Sequence, residues 1–241
     1  MIQYYKNRLC LNCLAGSEQN GKEIAEAMEG SVLIGVLSGN YPDVSAACAG
    51  METYSAACGG RVSVGLGGGN PAQWKAVAEI SSRFQAAHIN QVFSAVGYTR
   101  AKALGDVHIN ALVSPSGTPG LVKISTGPLS KDQPDALIPM ETAVAMVKEM
   151  GGNALKFFPM KGLSCRAEYV ELAKICGKED FILEPTGGIT PENLEEILDI
   201  ALNAGVKQII PHIYSAIVDP DTGMTKIDEV EKIRKIFERL I

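Results

Sequence analysis

Phe181-Ile182-Leu183-Glu184-Pro185-Thr186-Gly187-Gly188-Ile189-Thr190-Pro191-Glu192-Asn193 runs from a short strand through a two-glycine turn into a helix start. The apolar run ahead of Pro185 has the length and composition of a strand. Thr190-Pro191 pairs a capping hydroxyl with proline at the first helical position, and Gly205 lies just past the helix predicted over 194–203. A strand handed through glycines straight into a helix is a βα unit. The stretch upstream, Asn153-Ala154-Leu155-Lys156-Phe157-Phe158-Pro159, reads as the strand of another such unit.

The alternation extends over the whole chain. Strands are predicted at 9–15, 31–37, 61–66, 91–96, 109–114, 121–126, 155–159, 181–184 and 208–212. Helices are predicted at 21–28 (capped by Asn20), 71–87 (opened by Asn70-Pro71), 194–203 and 226–240. Strands that are apolar on both faces belong in a parallel sheet covered by helices. Segments 109–114 and 121–126 are separated only by the turn-rich Pro115-Ser116-Gly117-Thr118-Pro119-Gly120. One of them is therefore a hairpin at the mouth, or both share one position. With that merger, eight βα units fit a single-domain α/β (β/α)8 TIM barrel. The doubly wound alternative lacks a G-x-G-x-x-G followed by an acidic residue.

The 241 residues are 46% hydrophobic, which excludes an intrinsically disordered chain. A net charge of −5 disfavours nucleic acid and membrane surfaces as partners, leaving room for a local anion pocket. The polar start, Met1 to Arg8, and the lack of an 18-residue apolar run point to a cytoplasmic chain with reduced thiols. Cys10 and Cys13 form a C-x-x-C, but in a strand positions three apart face opposite ways, so a redox or zinc pair is disfavoured.

Side chains at the C-terminal ends of barrel strands face the active site. Lys156 is a lysine inside an apolar strand, where desolvation favours the neutral amine that a Schiff base needs, or else a rim lysine reaching solvent. Lys123 is its rival. Glu184 and Thr186 share a face, which sets Glu184 one layer below Thr186, either as a group acting on Lys156 or as its structural ion partner. Gly187 and Gly188 ahead of a helix suit a phosphate, as do Gly67, Gly68 and Gly69 ahead of Asn70-Pro71. His212 and Ser215 on the last strand suit proton transfer or phosphate contact. His88 and His108 show no partner and read as structural, and the spacing of the three histidines predicts no metal site.

Lys156-Phe157-Phe158-Pro159, followed by Pro185-Thr186-Gly187-Gly188-Ile189-Thr190-Pro191, resembles the class I aldolases that cleave 2-keto-3-deoxy-6-phosphogluconate. Gly65-Leu66-Gly67 with Asn70-Pro71 echoes their third strand, and the chain as a whole resembles the KDGP aldolase family of the D-glucosaminate branch. The resemblance implies a cofactor-independent homo-oligomer in which Lys156 forms an imine with a keto-acid sugar phosphate. The products would be pyruvate and D-glyceraldehyde 3-phosphate, with Thr186, Gly187 and Gly188 holding substrate. The family's second-strand Glu and Arg are missing from Val32-Leu33-Ile34-Gly35-Val36-Leu37-Ser38, and His212-Ile213-Tyr214-Ser215 stands in place of its last-strand Gly-Gly-Ser. Glu184, then His212, is the expected base. Arg61, Lys123 and the amides of 67–69 are the expected anion contacts. A 4-hydroxy-2-oxoglutarate aldolase, an isomerase and a non-catalytic sugar-phosphate-binding barrel are the alternatives.

Overall fold

A computed structural model describes residues 2–241. In chain order the strands are β1 (Leu11–Leu14), β2 (Val32–Leu37), β3 (Val62–Gly65), β4 (His88–Val92), β5 (His108–Pro115), β6 (Leu121–Lys123), β7 (Leu137–Pro139), β8 (Ala154–Phe157) and β9 (Ile182–Pro185). The helices are α1 (Glu18–Ala27), α2 (Val44–Ala57), α3 (Trp74–Ser81), α4 (Val96–Lys102), α5 (Met140–Glu149), α6 (Arg166–Lys178), α7 (Pro191–Asn203) and α8 (Ile227–Leu240). None is long and apolar enough to cross a membrane.

Strands β1, β2, β3, β4, β5, β8 and β9 pair in that order, all parallel, into one curled sheet. The regular strands do not form a closed ring, which corrects the expectation of eight equivalent strands. In the gap between β9 and β1, residues 209–212 make only isolated parallel bridges. They join Ile209 to Leu183 and Leu9, and His212 to Thr186 and Asn12. Pro211 explains the irregularity, since it has no N–H to donate to a ladder. Its carbonyl still accepts from the Asn12 N–H at 2.9 Å, and the His212 N–H donates to Pro185 at 3.0 Å.

Segments 109–114 and 121–126 divide as one of the two expectations had it. β5 belongs to the parallel sheet, while β6 pairs antiparallel with the end of β5 and with β7. Further expectations need correcting, and the helix expected over 71–87 ends at Ser81. The strand expected at 91–96 lies at His88–Val92, and the apolar 93–95 turns as a 3₁₀ helix into α4. Helix α1 begins three residues earlier than predicted because Ser17, not Asn20, is its cap, accepting from the Asn20 N–H at 3.1 Å. The Asn20 side chain instead bonds both backbone groups of Thr225, which fixes the approach to α8.

One large apolar core fills the layer between sheet and helices, and a small cluster of Cys10, Leu33 and Ile210 plugs the inside of the sheet at its N-terminal end. Cys10 and Cys13 fall in different clusters, on opposite faces as the strand period requires, and all six cysteines are free. Above the plug the interior turns polar.

Candidate active site

At the C-terminal ends of the strands lies a cavity of about 430 Å³. Its wall includes Leu14, Leu37, Gly65, Gln91 and Leu112, one from each of β1 to β5, and Thr186 just after β9. Among the described residues only two titratable side chains line it, Lys156 and Tyr214.

Lys156 sits on β8 opposite Leu112 of β5 and Glu184 of β9. Burial pulls its amine down to about 8, with the charge of Glu184 opposing. Its Nζ donates to Asn90 Oδ1 at 2.9 Å and lies 5.9 Å from the centre of the Tyr214 ring. Burial also keeps the Tyr214 phenol protonated well above the usual range.

Glu184 is fully buried and does not line the cavity. Four residues converge on its carboxylate: His108 Nε2 at 2.8 Å, His212 Nε2 at 2.8 Å, Asn110 Nδ2 at 2.6 Å and His88 Nε2 at 3.1 Å. Burial alone would raise this carboxyl, but the electrostatic attraction of the His88 ring and the hydrogen bonds from all three histidines override it and hold it well below the usual range. Burial, together with the charge of Lys156, pulls His212 down to about 3. Burial lowers His88 too, against the attraction of Glu184. The atoms of His88, Glu184 and His212 lie within 4.8 Å of one another, a spacing that would also suit a metal ion. Carboxylate oxygens only accept, however, so each Nε2 that faces them carries a hydrogen rather than a lone pair for a metal. On the far side of the rings, His88 Nδ1 meets Ser63 Oγ at 2.7 Å and His212 Nδ1 meets the Tyr214 hydroxyl at 2.8 Å.

The other expected site residues divide into two groups. Thr186, Ser215, Gly67 and Gly68 line the cavity beside Lys156. Gly187 and Gly188 follow Thr186 but pack against 158–162. A Cβ on Gly188 would stand 2.5 Å from the Gly162 nitrogen, and both glycines have positive φ, so no other residue fits there. Arg61 and Lys123 are corrections. Arg61 lies just ahead of β3, at the opposite end of the sheet, where its guanidinium donates to the carbonyls of Gly30, Cys58 and Gly59. Lys123 pairs with Asp135 at 3.2 Å on the β6–β7 hairpin, off the cavity wall. The direct contact expected between Glu184 and Lys156 is also absent among the described residues. Asn110 and Asn90 stand between them, since Asn110 Nδ2 donates to both Glu184 Oε2 and Asn90 Oδ1.

Sequence reasoning missed Asn12, Ser63, Asn90, Asn110 and Tyr214, and treated His88 and His108 as partnerless. One signal was present. His88-Ile89-Asn90 and His108-Ile109-Asn110 are the same tripeptide, and they pair residue for residue between β4 and β5.

Comparison with known proteins agrees with this geometry. Residues 5–221 match the family model described as KDGP aldolase. A 2-dehydro-3-deoxy-phosphogluconate aldolase of Salmonella typhimurium (strain 14028s / SGSC 2262) is 41% identical over 246 residues, covering all of this chain and 99% of that protein. Among solved structures, thiamine phosphate pyrophosphorylase from Pyrococcus furiosus superposes with a TM-score of 0.58 at 13% identity, covering 98% of each chain. A mutant tryptophan synthase α-subunit from the same organism gives 0.53 at 14% identity, over 100% of this chain and 99% of that one. These two likenesses concern the fold alone, a curled parallel sheet of the TIM-barrel kind. The family match and the full-length relative go further: the chain belongs to the KDGP aldolase family, and is an aldolase.

Proposed function

We propose that the protein is a class I aldolase that cleaves 2-dehydro-3-deoxy-6-phosphogluconate to pyruvate and D-glyceraldehyde 3-phosphate through an imine on Lys156. The observation that carries this reading is a lysine amine lowered to about 8 by burial, on the wall of the cavity at the C-terminal strand ends. In the same reading residues 209–212 serve as the eighth stave of a (β/α)8 barrel, and the enzyme works as a cytoplasmic homo-oligomer without a cofactor.

The Lys156 amine attacks C2 of the keto acid; the carbonyl oxygen takes one hydrogen from the amine and one proton from solvent in the cavity and leaves as water, giving a protonated imine that draws electrons from the C3–C4 bond. Cleavage requires the C4 hydroxyl to lose its proton. Glu184 cannot take it directly, being buried beneath the wall with four donors on its oxygens. Tyr214 is the remaining titratable group on the wall. Its phenol passes its own proton to His212 Nδ1 as it accepts the one from C4, and the Glu184 carboxylate steadies the imidazolium. His212, held near 3, returns the proton at once through Tyr214 to C3 of the enamine. Hydrolysis then frees pyruvate and the amine. Apart from Lys156 the wall carries no formal positive charge, so the anionic ends of the substrate rest on backbone N–H groups at 67–69 and at the turn into α7, together with Thr186 and Ser215.

Cyanoborohydride trapping with pyruvate, followed by peptide mass mapping, tests the reading. A pyruvate adduct on Lys156, with release of pyruvate from the phosphorylated keto acid, is the expected result. An adduct on Lys123 alone would overturn the site, and no adduct on any lysine would overturn the mechanism.

A further inference from the structure

The hydrogen bonds beneath the cavity have a direction that can be worked out from two backbone anchors. Asn90 Nδ2 donates to the Val64 carbonyl at 3.1 Å and to Ser63 Oγ at 3.1 Å, so both of its hydrogens are used. A carbonyl oxygen cannot donate, so the amide cannot be turned over, and Oδ1 must face Lys156. Asn110 is anchored in the same way: its Oδ1 accepts from the Gln91 N–H at 3.2 Å, which turns Nδ2 toward Glu184 and Asn90. Ser63 completes the lock. Its oxygen accepts from Asn12 Nδ2 at 3.0 Å and from Asn90 Nδ2, so its own hydrogen goes to His88 Nδ1. His88 can accept there because its other nitrogen carries the hydrogen given to Glu184. No buried side-chain polar atom is left without a partner among the described residues.

We propose that Asn90 is a catalytic partner of Lys156, presenting only an acceptor to the amine and so leaving its lone pair free for a carbonyl carbon in the cavity. A neutral amine has two hydrogens and one lone pair. Donation of one hydrogen to Oδ1 leaves the lone pair uncommitted, whereas an amide NH₂ turned toward the amine would consume it. The partnership persists after attack. As the C–N bond forms, the carbonyl oxygen leaves as water with one amine hydrogen and one proton from solvent; the protonated imine keeps a single N–H, and Asn90 Oδ1 is its acceptor, which fixes the imine plane against the cavity. Glu184, His88, Ser63 and Asn110 are positioning residues that act through Asn90. This part of the argument rests on the Schiff-base reading above, while the orientation of the free amine does not.

Two measurements on wild type, Asn90→Leu, Asn90→Asp and Ser63→Ala keep the two ideas apart, with thermal melting as the check on folding. The first is competitive acetylation of Lys156 by acetic anhydride as a function of pH, which reads the amine with no keto acid present. The second is the rate of cyanoborohydride trapping with pyruvate. Asn90→Leu is expected to slow both about tenfold, the loss of one hydrogen bond. Asn90→Asp keeps an acceptor in place and is expected to rescue the trapping rate at high pH. Its added charge favours the ammonium form, so the midpoint moves to higher pH. Ser63→Ala releases the lock and is expected to fall between wild type and Asn90→Leu. A folded Asn90→Leu protein with the wild-type rate and midpoint in acetylation overturns the proposal, as does an Asn90→Asp protein indistinguishable from a folded Asn90→Leu protein. If wild type is never trapped by pyruvate while acetylation still depends on Asn90, the aldolase mechanism fails and the role of Asn90 toward the amine stands.

Discussion

Titration between pH 6 and 10.5 separates a desolvated nucleophile from an ordinary one, because the two differ at neutral pH by far more than assay error. Lys156 is lowered from 10.5 to about 8. At pH 7 a group at 8 is neutral about one time in ten and a group at 10.5 about one time in 3,000, a ratio of roughly 300 in reactive amine. Imine formation with pyruvate, followed by cyanoborohydride trapping, is therefore expected to rise about tenfold from pH 6 to 7 and to level off above pH 8. Stability should carry the same signature with a definite sign. The folded chain binds this proton less tightly than the unfolded chain does. The penalty is therefore complete below pH 8 and disappears as pH rises from 8 to 10.5, worth about 3 kcal/mol in all. Lys156→Met removes the proton from both states. Its stability relative to wild type in urea unfolding should fall by about 3 kcal/mol between pH 7 and pH 10.5. A trapping midpoint above 10, or a stability difference that stays constant with pH, would refute the burial argument.

The remaining predictions concern the groups around that amine. Tyr214→Phe is expected to keep the pyruvate adduct on Lys156 while lowering the turnover of carbon–carbon cleavage by about 100-fold; equal loss of trapping and cleavage would remove Tyr214 from proton transfer. Glu184→Gln puts an amide hydrogen where Asn110 or His212 now donates. It should cost about 1–3 kcal/mol in urea unfolding at pH 7. Because the folded carboxyl is lowered, wild type loses that advantage as pH falls below the carboxylate range, so the difference should narrow in acid; a constant difference would contradict an ionised Glu184. Arg61→Gln should change KM for the phosphorylated keto acid less than about twofold while lowering Tm, since it strips donors from three carbonyls. Lys123→Gln should be near silent in both, its ion pair being worth under about 1 kcal/mol. A tenfold rise in KM for either variant would put that residue back in the site.

The βα alternation, the hairpin ambiguity at 109–126 and the placement of Lys156 and Thr186 were legible because each rests on local rules: strand length, turn residues and side-chain alternation. The strand at His88–Val92 was not legible, because its inward positions are His88 and Asn90. A search for apolar strands slides past such a segment to the next apolar run. The irregular eighth segment escaped for a related reason, since alternation counts Pro211 as apolar without registering its missing N–H. Arg61 and Lys123 failed on direction. Sequence shows a cation near a strand but not which end of the sheet it meets, and Arg61 stands before β3 rather than after it.

The convergence of His88, His108 and His212 on Glu184 was out of reach because the contacts span 96, 76 and 28 positions along the chain. Its physical sense follows from what a buried carboxylate needs. An isolated charge in that layer would be costly, and neutralising it with a buried arginine would place a second charge beneath the nucleophile. Imidazole and amide donors satisfy the carboxylate with less added charge, and their far sides remain available as acceptors. Through those far sides this buried anion determines how the hydroxyls of Ser63 and Tyr214 are oriented, and Ser63 in turn helps to lock Asn90. Two groups on the wall, an amine with an uncommitted lone pair and a phenol backed by imidazole, thus take the direction of their hydrogen bonds from a network centred on a carboxylate that neither of them touches.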